Sequence, residues 1–139
     1  MDIILKPYLS RRIIAGLIDY TLMFFITIAV IQHFGVYKGD GRYQLTGIYA
    51  LLVPLAWFIF IVGMEQITGA TLGNGITGLK PVTLSGSKPN LIQSFKRHLL
   101  DPIDMFFFGL VGIISIKNSE KKQRLGDSWA STVVIRDKK

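Results

Sequence analysis

Asp19 is the acidic residue of this sequence that is best placed to do chemistry. It interrupts an otherwise uncharged run from Ile13 to Phe34. A carboxylate within so long an apolar run is costly to bury, and by default it marks a functional site. Two roles are open for it: a group that carries a proton or cation, or one half of a structural Asp–Arg pair that locks two helices together.

Arg12 precedes Asp19 by seven positions, which places both on one face of a helix, two turns apart. That separation is too long for a direct bond between their side chains. Arg12 therefore serves either a partner helix or the lipid head groups at the start of the helix.

A second set of charges repeats this spacing. Arg97 and Asp104 are also seven apart, and Asp101 lies three residues before Asp104 on the same face. Two carboxylates this close would couple their titrations or chelate a cation. Arg97 also lies four residues before Asp101, so a plain helix ion pair is the alternative.

Asp127 follows the basic run from Lys117 to Arg124. Its position allows it to cap the next helical turn. It could equally pair with Arg12 or Arg97.

Other kinds of site are not indicated. The chain has no cysteine, and His33 and His98 are isolated from each other in sequence. No spacing suits a metal site and no combination suits a nucleophile. We therefore predict a protein that is not an enzyme, with no catalytic residue, no metal and no cofactor.

Long uncharged runs must position these residues. The runs at about 13–34 and 45–64 are each long enough to cross about 30 Å of hydrocarbon as a helix. The chain of 139 residues carries a formal charge of +7, but the basic residues flank the runs. That arrangement indicates loops beside anionic lipid rather than nucleic-acid binding.

A third helical region covers about 90–116. Asn90 is a suitable N-cap for an amphipathic helix from Leu91 to Leu100, and Met105–Ile116 is an uncharged run of only 12 residues. Such a run is short for a span and typical of a re-entrant hairpin. A third full span is the alternative.

Two short β-strands complete the predicted fold. Leu79–Leu84 and Ser131–Ile135 have strand-like patterns and should pair with each other. The glycines of Gly69–Gly78 predict a flexible turn, and Gly35–Thr46 predicts a loop. The fold class is thus an all-α membrane protein with a two-stranded β element, in one domain over 1–139.

The basic residues predict the topology. Three precede the first run and seven follow Ile116, while the first loop has two. Basic residues concentrate on the cytoplasmic side. We therefore expect a multi-pass protein of a bacterial inner membrane, with a cytoplasmic N-terminus, β element and tail (117–139).

Three stretches together resemble the RDD family of small bacterial membrane proteins, named for one arginine and two aspartates. They are Arg11-Arg12-x-x-Ala15-x-x-Ile18-Asp19, then Thr71-Leu72-Gly73 with Gly78-Leu79, and finally Gln123–Asp127 followed by Thr132–Val134. The resemblance assigns the family's arginine to Arg12 and its aspartates to Asp19 and Asp127, with Asp104 in reserve. A basic pair that often follows Thr-Leu-Gly in the family is replaced here by Asn74 and Gly75.

The resemblance implies little about activity, since family members include reported cation–proton antiporters and accessory domains. Two functions follow as expectations. One is a cation or proton transport component that acts as an oligomer. The other is an accessory or assembly subunit of a larger membrane complex. The candidate residues for ion binding or structural ion pairs are Arg12, Asp19, Arg97, Asp101, Asp104 and Asp127.

Overall fold

The computed structural model describes residues 5–137. The last two residues of the predicted tail lie outside this range. The chain is mostly helical, with two small antiparallel sheets, as the sequence predicts. In chain order the elements are α1 (Leu9–Phe34), β1 (Val36–Tyr37), β2 (Tyr43–Gln44), α2 (Gly47–Thr68), α3 (Leu72–Thr77), β3 (Leu79–Thr83), α4 (Leu91–Leu99), α5 (Asp101–Asp104), α6 (Phe106–Asn118), α7 (Leu125–Trp129) and β4 (Thr132–Arg136).

The helices α1 and α2 are the two that are long and apolar enough to cross a membrane. α1 begins four residues before the uncharged run and includes Arg11 and Arg12. Their guanidinium groups bind the Thr77 carbonyl and Asp127, respectively, inside the protein. Along α1 only Ala15, Asp19 and Met23 are buried by protein. Most of its other side chains are apolar, as expected of a helix with lipid as its solvent.

The helix α2 is not uniform. It starts as a 3₁₀ turn at Gly47–Leu51 and contains a π-helical stretch at Phe58–Gly63 before its last α-helical turn, Met64–Thr68. A π-turn inserts an extra residue into a helix and commonly occurs at functional sites. Here it comes directly before the turn that carries Glu65, which is buried.

The predicted strand pair is confirmed. β3 and β4 run antiparallel, with Val82 opposite Val133 and Pro81 opposite Val134, and all four of these side chains are buried. The short strands β1 and β2 also pair, and both lie within the segment Gly35–Thr46 that the sequence predicts as a loop. Two residues per strand are too few to leave a recognisable alternation in sequence.

The prediction of a flexible turn over Gly69–Gly78 is wrong, because this segment contains the helix α3. Thr71 caps its N-terminus by accepting the Asn74 N–H, and Gly78 ends it in the left-handed conformation at φ 68°. Gly73 lies so close to α1 that a Cβ would overlap the carbonyl oxygen of Ala15. Two of the glycines therefore position a helix, which composition alone does not reveal.

The third region folds back on itself. α4 begins at Asn90 with a capping box, as predicted. The segment Leu91–Asp104 and the helix α6 meet at an angle of 117°. Phe107, Phe108 and Gly109 adopt left-handed backbone angles close to this bend. The fold therefore has two helices able to span, or three if the bent pair counts as one.

The helix α4 has its polar side inward. Ser94, Arg97 and His98 are buried, whereas its outward side is apolar. This is the reverse of an amphipathic helix in a water-soluble protein. The outward apolar side chains are Leu91, Ile92, Phe95 and Leu99.

Candidate functional site

Nine charged or ionisable side chains meet where α1, α2, α4, α5 and α7 come together. We call them the charged cluster. Its members are Arg12, Asp19, Glu65, Arg97, His98, Asp101, Asp104, Arg124 and Asp127.

Asp127 is the carboxylate of the cluster that pairs with three arginines, Arg12, Arg97 and Arg124. Its Oδ2 lies 2.9 Å from Arg12 Nη1, and its Oδ1 lies 2.9 Å from Arg97 Nε. The Arg124 N–H also donates to Oδ2, at 3.2 Å. Burial opposes ionisation, but the three arginines outweigh it and hold the pKa of Asp127 well below its usual range. Asp127 thus joins the first helix to the last one.

Arg97 carries the cluster toward α2. Its Nη1 donates to both carboxylate oxygens of Glu65 at 2.8 Å, and Ser94 Oγ donates to Glu65 Oε1 at 2.7 Å. The Arg97 side chain is 1% exposed. A buried guanidinium survives only when it is paired, and here two carboxylates, Glu65 and Asp127, supply that pairing.

His98 bridges two carboxylates. Its Nε2 lies 2.9 Å from Glu65 and its Nδ1 lies 2.9 Å from Asp101. Burial disfavours the charged ring, but Asp101 and Glu65 overcome that effect and raise the pKa of His98 to about 9. Both ring nitrogens therefore act as donors at neutral pH.

Asp101 is shared by three donors. Besides His98 it accepts hydrogen bonds from Tyr20 Oη at 2.6 Å and Arg124 Nη1 at 3.1 Å. Burial disfavours its charge, but His98 and Arg124 prevail and lower the pKa of Asp101 to about 2. A phenol from α1 and a guanidinium from α7 thus both converge on α5.

Asp19 and Asp104 differ from the other carboxylates, because among the described residues only neutral donors contact them. Asp19 accepts the Thr71 hydroxyl at 2.6 Å and the Gly73 N–H at 2.7 Å. Asp104 accepts the N–H groups of Leu125 at 3.1 Å and Gly126 at 3.2 Å. Burial raises the pKa of Asp104, although Arg124 and the two amides oppose this.

The spacing of seven residues from an arginine to an aspartate occurs twice, in Arg12–Asp19 and Arg97–Asp104, and the structure around the two aspartates is also repeated. Asp19 binds the start of the helix that begins Leu72-Gly73, and Asp104 binds the start of the helix that begins Leu125-Gly126. After each short helix a residue with positive φ, Gly78 or Ser131, comes directly before a strand of the same sheet. The chain thus uses one local arrangement twice.

Two predictions about the candidate residues need correction. Arg97 pairs with Glu65 and Asp127 rather than with Asp101, because it points toward α2 and α7. Asp127 is not the N-cap of α7 but lies three residues after it, where it accepts the Arg124 N–H and pairs with both arginines named as alternatives.

Four members of the site escaped the sequence reasoning: Tyr20, Glu65, His98 and Arg124. Glu65 is the first charged residue after the run 45–64, which is where a buried ion-pair partner of a nearby arginine would be sought. His98 has no second histidine near it in sequence, so its spacing does not indicate a site. Its place between Arg97 and Asp101 on one helical stretch is the signal that points to the cluster.

A cavity of about 460 Å³ borders the cluster between α1 and the bend of α5 and α6. Asp19 and Asp104 both line it, as do apolar side chains of both helices. The Nε atom of Arg12 is buried without a hydrogen-bond partner in the described part of the chain. No group of three or more His, Asp or Glu side chains within residues 5–137 is arranged to hold a metal ion.

Comparison with known proteins gives the family. The model of the RDD family matches residues 6–131, which is most of the chain. The chain belongs to the RDD family. RDD-family membership and the two long apolar helices together make it a membrane protein. No curated protein and no solved structure gives a significant match.

The three residues assigned from the RDD resemblance are not equivalent in the structure. Arg12 and Asp127 form a direct ion pair. Asp19 lies in the same cluster but binds the start of α3 instead. Asp104, the reserve candidate, accepts backbone N–H groups at the start of a short helix, as Asp19 does.

Proposed function

We propose that this RDD-family membrane protein is a transport component for protons or small cations and that it is not an enzyme. The observation that carries the proposal is the pair Asp19 and Asp104. Both are buried, both line one cavity, and both lack an ion-pair partner among the described residues. A carboxylate in this situation can take up a proton or a cation without first breaking a salt bridge.

The remaining charges support the proposal by contrast. Arg12, Arg97 and Arg124 are each engaged with Asp127 or Asp101, and His98 joins Glu65 to Asp101. These groups form a network of ion pairs. Asp19 and Asp104 accept hydrogen bonds from neutral donors among the described residues, so either can change its charge without breaking an ion pair of that network.

Two spanning helices and a bent hairpin are too few to enclose a pathway. Transport would therefore require several copies, arranged with closed symmetry around a shared path. The charge distribution favours a bacterial inner membrane with the N-terminus, both strands of the β3–β4 sheet and the tail on the cytoplasmic side.

The test is flux in proteoliposomes loaded with a pH-sensitive dye. A sodium or potassium gradient is imposed, and the dye reports the proton movement that it drives. We expect this proton movement to be at least 10-fold faster with the wild-type protein than in protein-free vesicles. Asp19→Asn and Asp104→Asn should each remove most of that flux. Asp40→Asn is the matched control, because Asp40 is exposed in the β1–β2 hairpin. A wild-type rate equal to that of empty vesicles would end the proposal.

An accessory role is the second candidate, and a specific surface favours it. Phe106, Phe107 and Phe108 are 59%, 68% and 103% exposed. Phe107 and Phe108 also hold left-handed backbone angles, which are costly for bulky residues. Such a projecting aromatic surface fits a partner protein. Purification in mild detergent followed by intact mass of the particle tests this, since a different protein at fixed stoichiometry would support the accessory role.

A further inference from the structure

The opening of the cavity between α1 and the bend of α5 and α6 is apolar. Of the residues that line the cavity, the exposed ones are Ile13, Leu17 and Phe108. The charged lining residues are buried or half-buried, and they are engaged with other members of the charged cluster or with neutral donors. An exposed apolar patch on a membrane protein is a surface for lipid. The cavity therefore opens sideways, toward hydrocarbon.

The cavity extends along α1 for about the depth of one leaflet. Its lining begins at Leu9, the first residue of α1, and continues to Tyr20. At 1.5 Å per residue, this stretch of helix is about 16 Å long. The hydrocarbon core of a bilayer is about 30 Å thick, so each leaflet supplies about half of that. The length suits one extended acyl chain.

The second wall of the cavity is α6. Met105, directly before this helix, reaches α1, since its Cε lies 3.8 Å from the position of a Cβ on Gly16. The chain after α6 returns to the start of α1, where Arg12 Nη2 donates to the Lys122 carbonyl oxygen at 3.0 Å. Between these two contacts, Ile113 lines the cavity from α6. The two helices thus form a groove that ends where α1 begins.

Basic side chains follow that end of the groove. Lys117 comes directly after Ile116, which lines the cavity. Residues 117–122 contain three lysines and one glutamate. Lys117 and Lys121 are exposed, and neither forms a salt bridge within residues 5–137. Basic pockets beside membrane helices bind anionic lipid head groups.

We propose that this groove binds one anionic phospholipid, with an acyl chain between α1 and α6 and its head group at Lys117 and Lys121. The apolar opening suits the chain, and the basic turn after α6 suits the negative charge. The inference goes beyond the transport proposal and does not depend on it, because the chain covers the apolar side of the cavity. Asp19 and Asp104 keep their own hydrogen-bond donors.

Native mass spectrometry of the full chain in mild detergent tests the proposal. Phosphatidylglycerol and phosphatidylcholine with identical acyl chains are titrated separately, so that only the net charge of the head group differs. We expect one saturable site per chain, with an apparent Kd for phosphatidylglycerol at least 10-fold below that for phosphatidylcholine. Equal Kd values, or no saturable site for phosphatidylglycerol, would overturn the proposal.

The exposed lysines allow a test of the head-group site that leaves the interior unchanged. Lys117→Gln/Lys121→Gln should weaken phosphatidylglycerol binding at least 10-fold and leave phosphatidylcholine binding as it is. Lys38→Gln/Arg42→Gln is the matched control, since it removes two exposed basic groups at the β1–β2 hairpin. We expect wild-type binding in this control. Equal weakening in both double variants would indicate unspecific attraction and would overturn the assignment of the head group.

A bulky side chain tests the groove itself. Ile113→Trp would fill the cavity from α6 and keep every charge, and we expect it to weaken the binding of both phospholipids at least 10-fold. Ile114→Trp is the matched control, because Ile114 is exposed on the same helix and does not line the cavity. It should bind like the wild type. Unchanged binding in Ile113→Trp, or an equal loss in both variants, would exclude this groove as the site of the acyl chain.

Discussion

Asp19 and Asp104 each accept hydrogen bonds at the start of a short helix that begins with Leu-Gly. A carboxylate at a helix N-terminus is favoured by the unpaired N–H groups and by the helix dipole. The two helices then lead into the two strands of one sheet, so both carboxylates help to position that sheet against the membrane helices.

Asp127→Asn should destabilise the protein more than any change at an exposed charge. The substitution leaves Arg12 and Arg97 buried without a charged partner at that point. Breaking a buried pair in this way costs about 3–5 kcal/mol. Thermal unfolding in detergent should show a large drop for Asp127→Asn and almost none for Asp40→Asn. A drop of similar size in both variants would contradict the central position of Asp127.

Gly73→Ala and Gly126→Ala should each be destabilising by about 1–3 kcal/mol, the usual cost of overpacking. In each case the added methyl would overlap a backbone carbonyl, that of Ala15 or that of Arg97. Gly75→Ala is the matched control, since nothing lies within 4 Å of its Cβ position. It lies in the same helix as Gly73 and should gain up to about 1 kcal/mol. Stability loss in Gly75→Ala equal to that in Gly73→Ala would show that helix composition, not close packing, is responsible.

Alkaline pH should weaken the fold through His98. Its pKa is raised to about 9 in the folded protein, against about 6.5 in an unfolded chain. The stability that it contributes is therefore fully present below about pH 6.5 and is lost as pH rises through about 9. Melting temperatures between pH 6 and 9.5 should fall for the wild type, whereas His98→Gln should start lower and fall less. His33→Gln, at an exposed position, should follow the wild-type curve.

Single cysteines test the topology directly, because the natural chain has none. Ser85 follows β3, Lys121 lies shortly before α7, and both are exposed. Since β3 pairs with β4, we expect Ser85→Cys and Lys121→Cys to react with an impermeant maleimide from the same side of the membrane. Asp40→Cys should react from the opposite side. Reaction of all three from one side would overturn the arrangement with α1 and α2 as spans.

The parts of the fold that follow from lipid as solvent could be predicted from the sequence. Uncharged runs identify α1 and α2, because length and apolarity decide whether a helix can span. The strand pair follows from two β-branched segments that have no other partner. The helix α3 could not be predicted, since Gly73 serves close packing against Ala15, and that contact exists only in three dimensions.

The sequence points to several residues of the charged cluster but not to the pairs that they form with each other. A charge within a long apolar run points to Asp19, and the resemblance to the RDD family points to Arg12 and Asp127. Which carboxylate pairs with Arg97 depends on how α2 and α7 approach α4, and no spacing in the sequence encodes that approach. Arg97 pairs with Glu65, which is 32 residues away in sequence, and not with Asp101 on the following turn.

The position of Arg97 between Glu65 and Asp127 has a consequence for the synthesis of the chain. Glu65 precedes Arg97, but Asp127 is added 30 residues later. Until then, Arg97 and Arg12 both lack the carboxylate that joins them, and the inward polar side of α4 is incomplete. We expect chains that end before Asp127 to be less stable in the membrane and to be degraded faster by quality-control proteases. The same ion pair that holds the finished fold together therefore distinguishes a completed chain from an interrupted one.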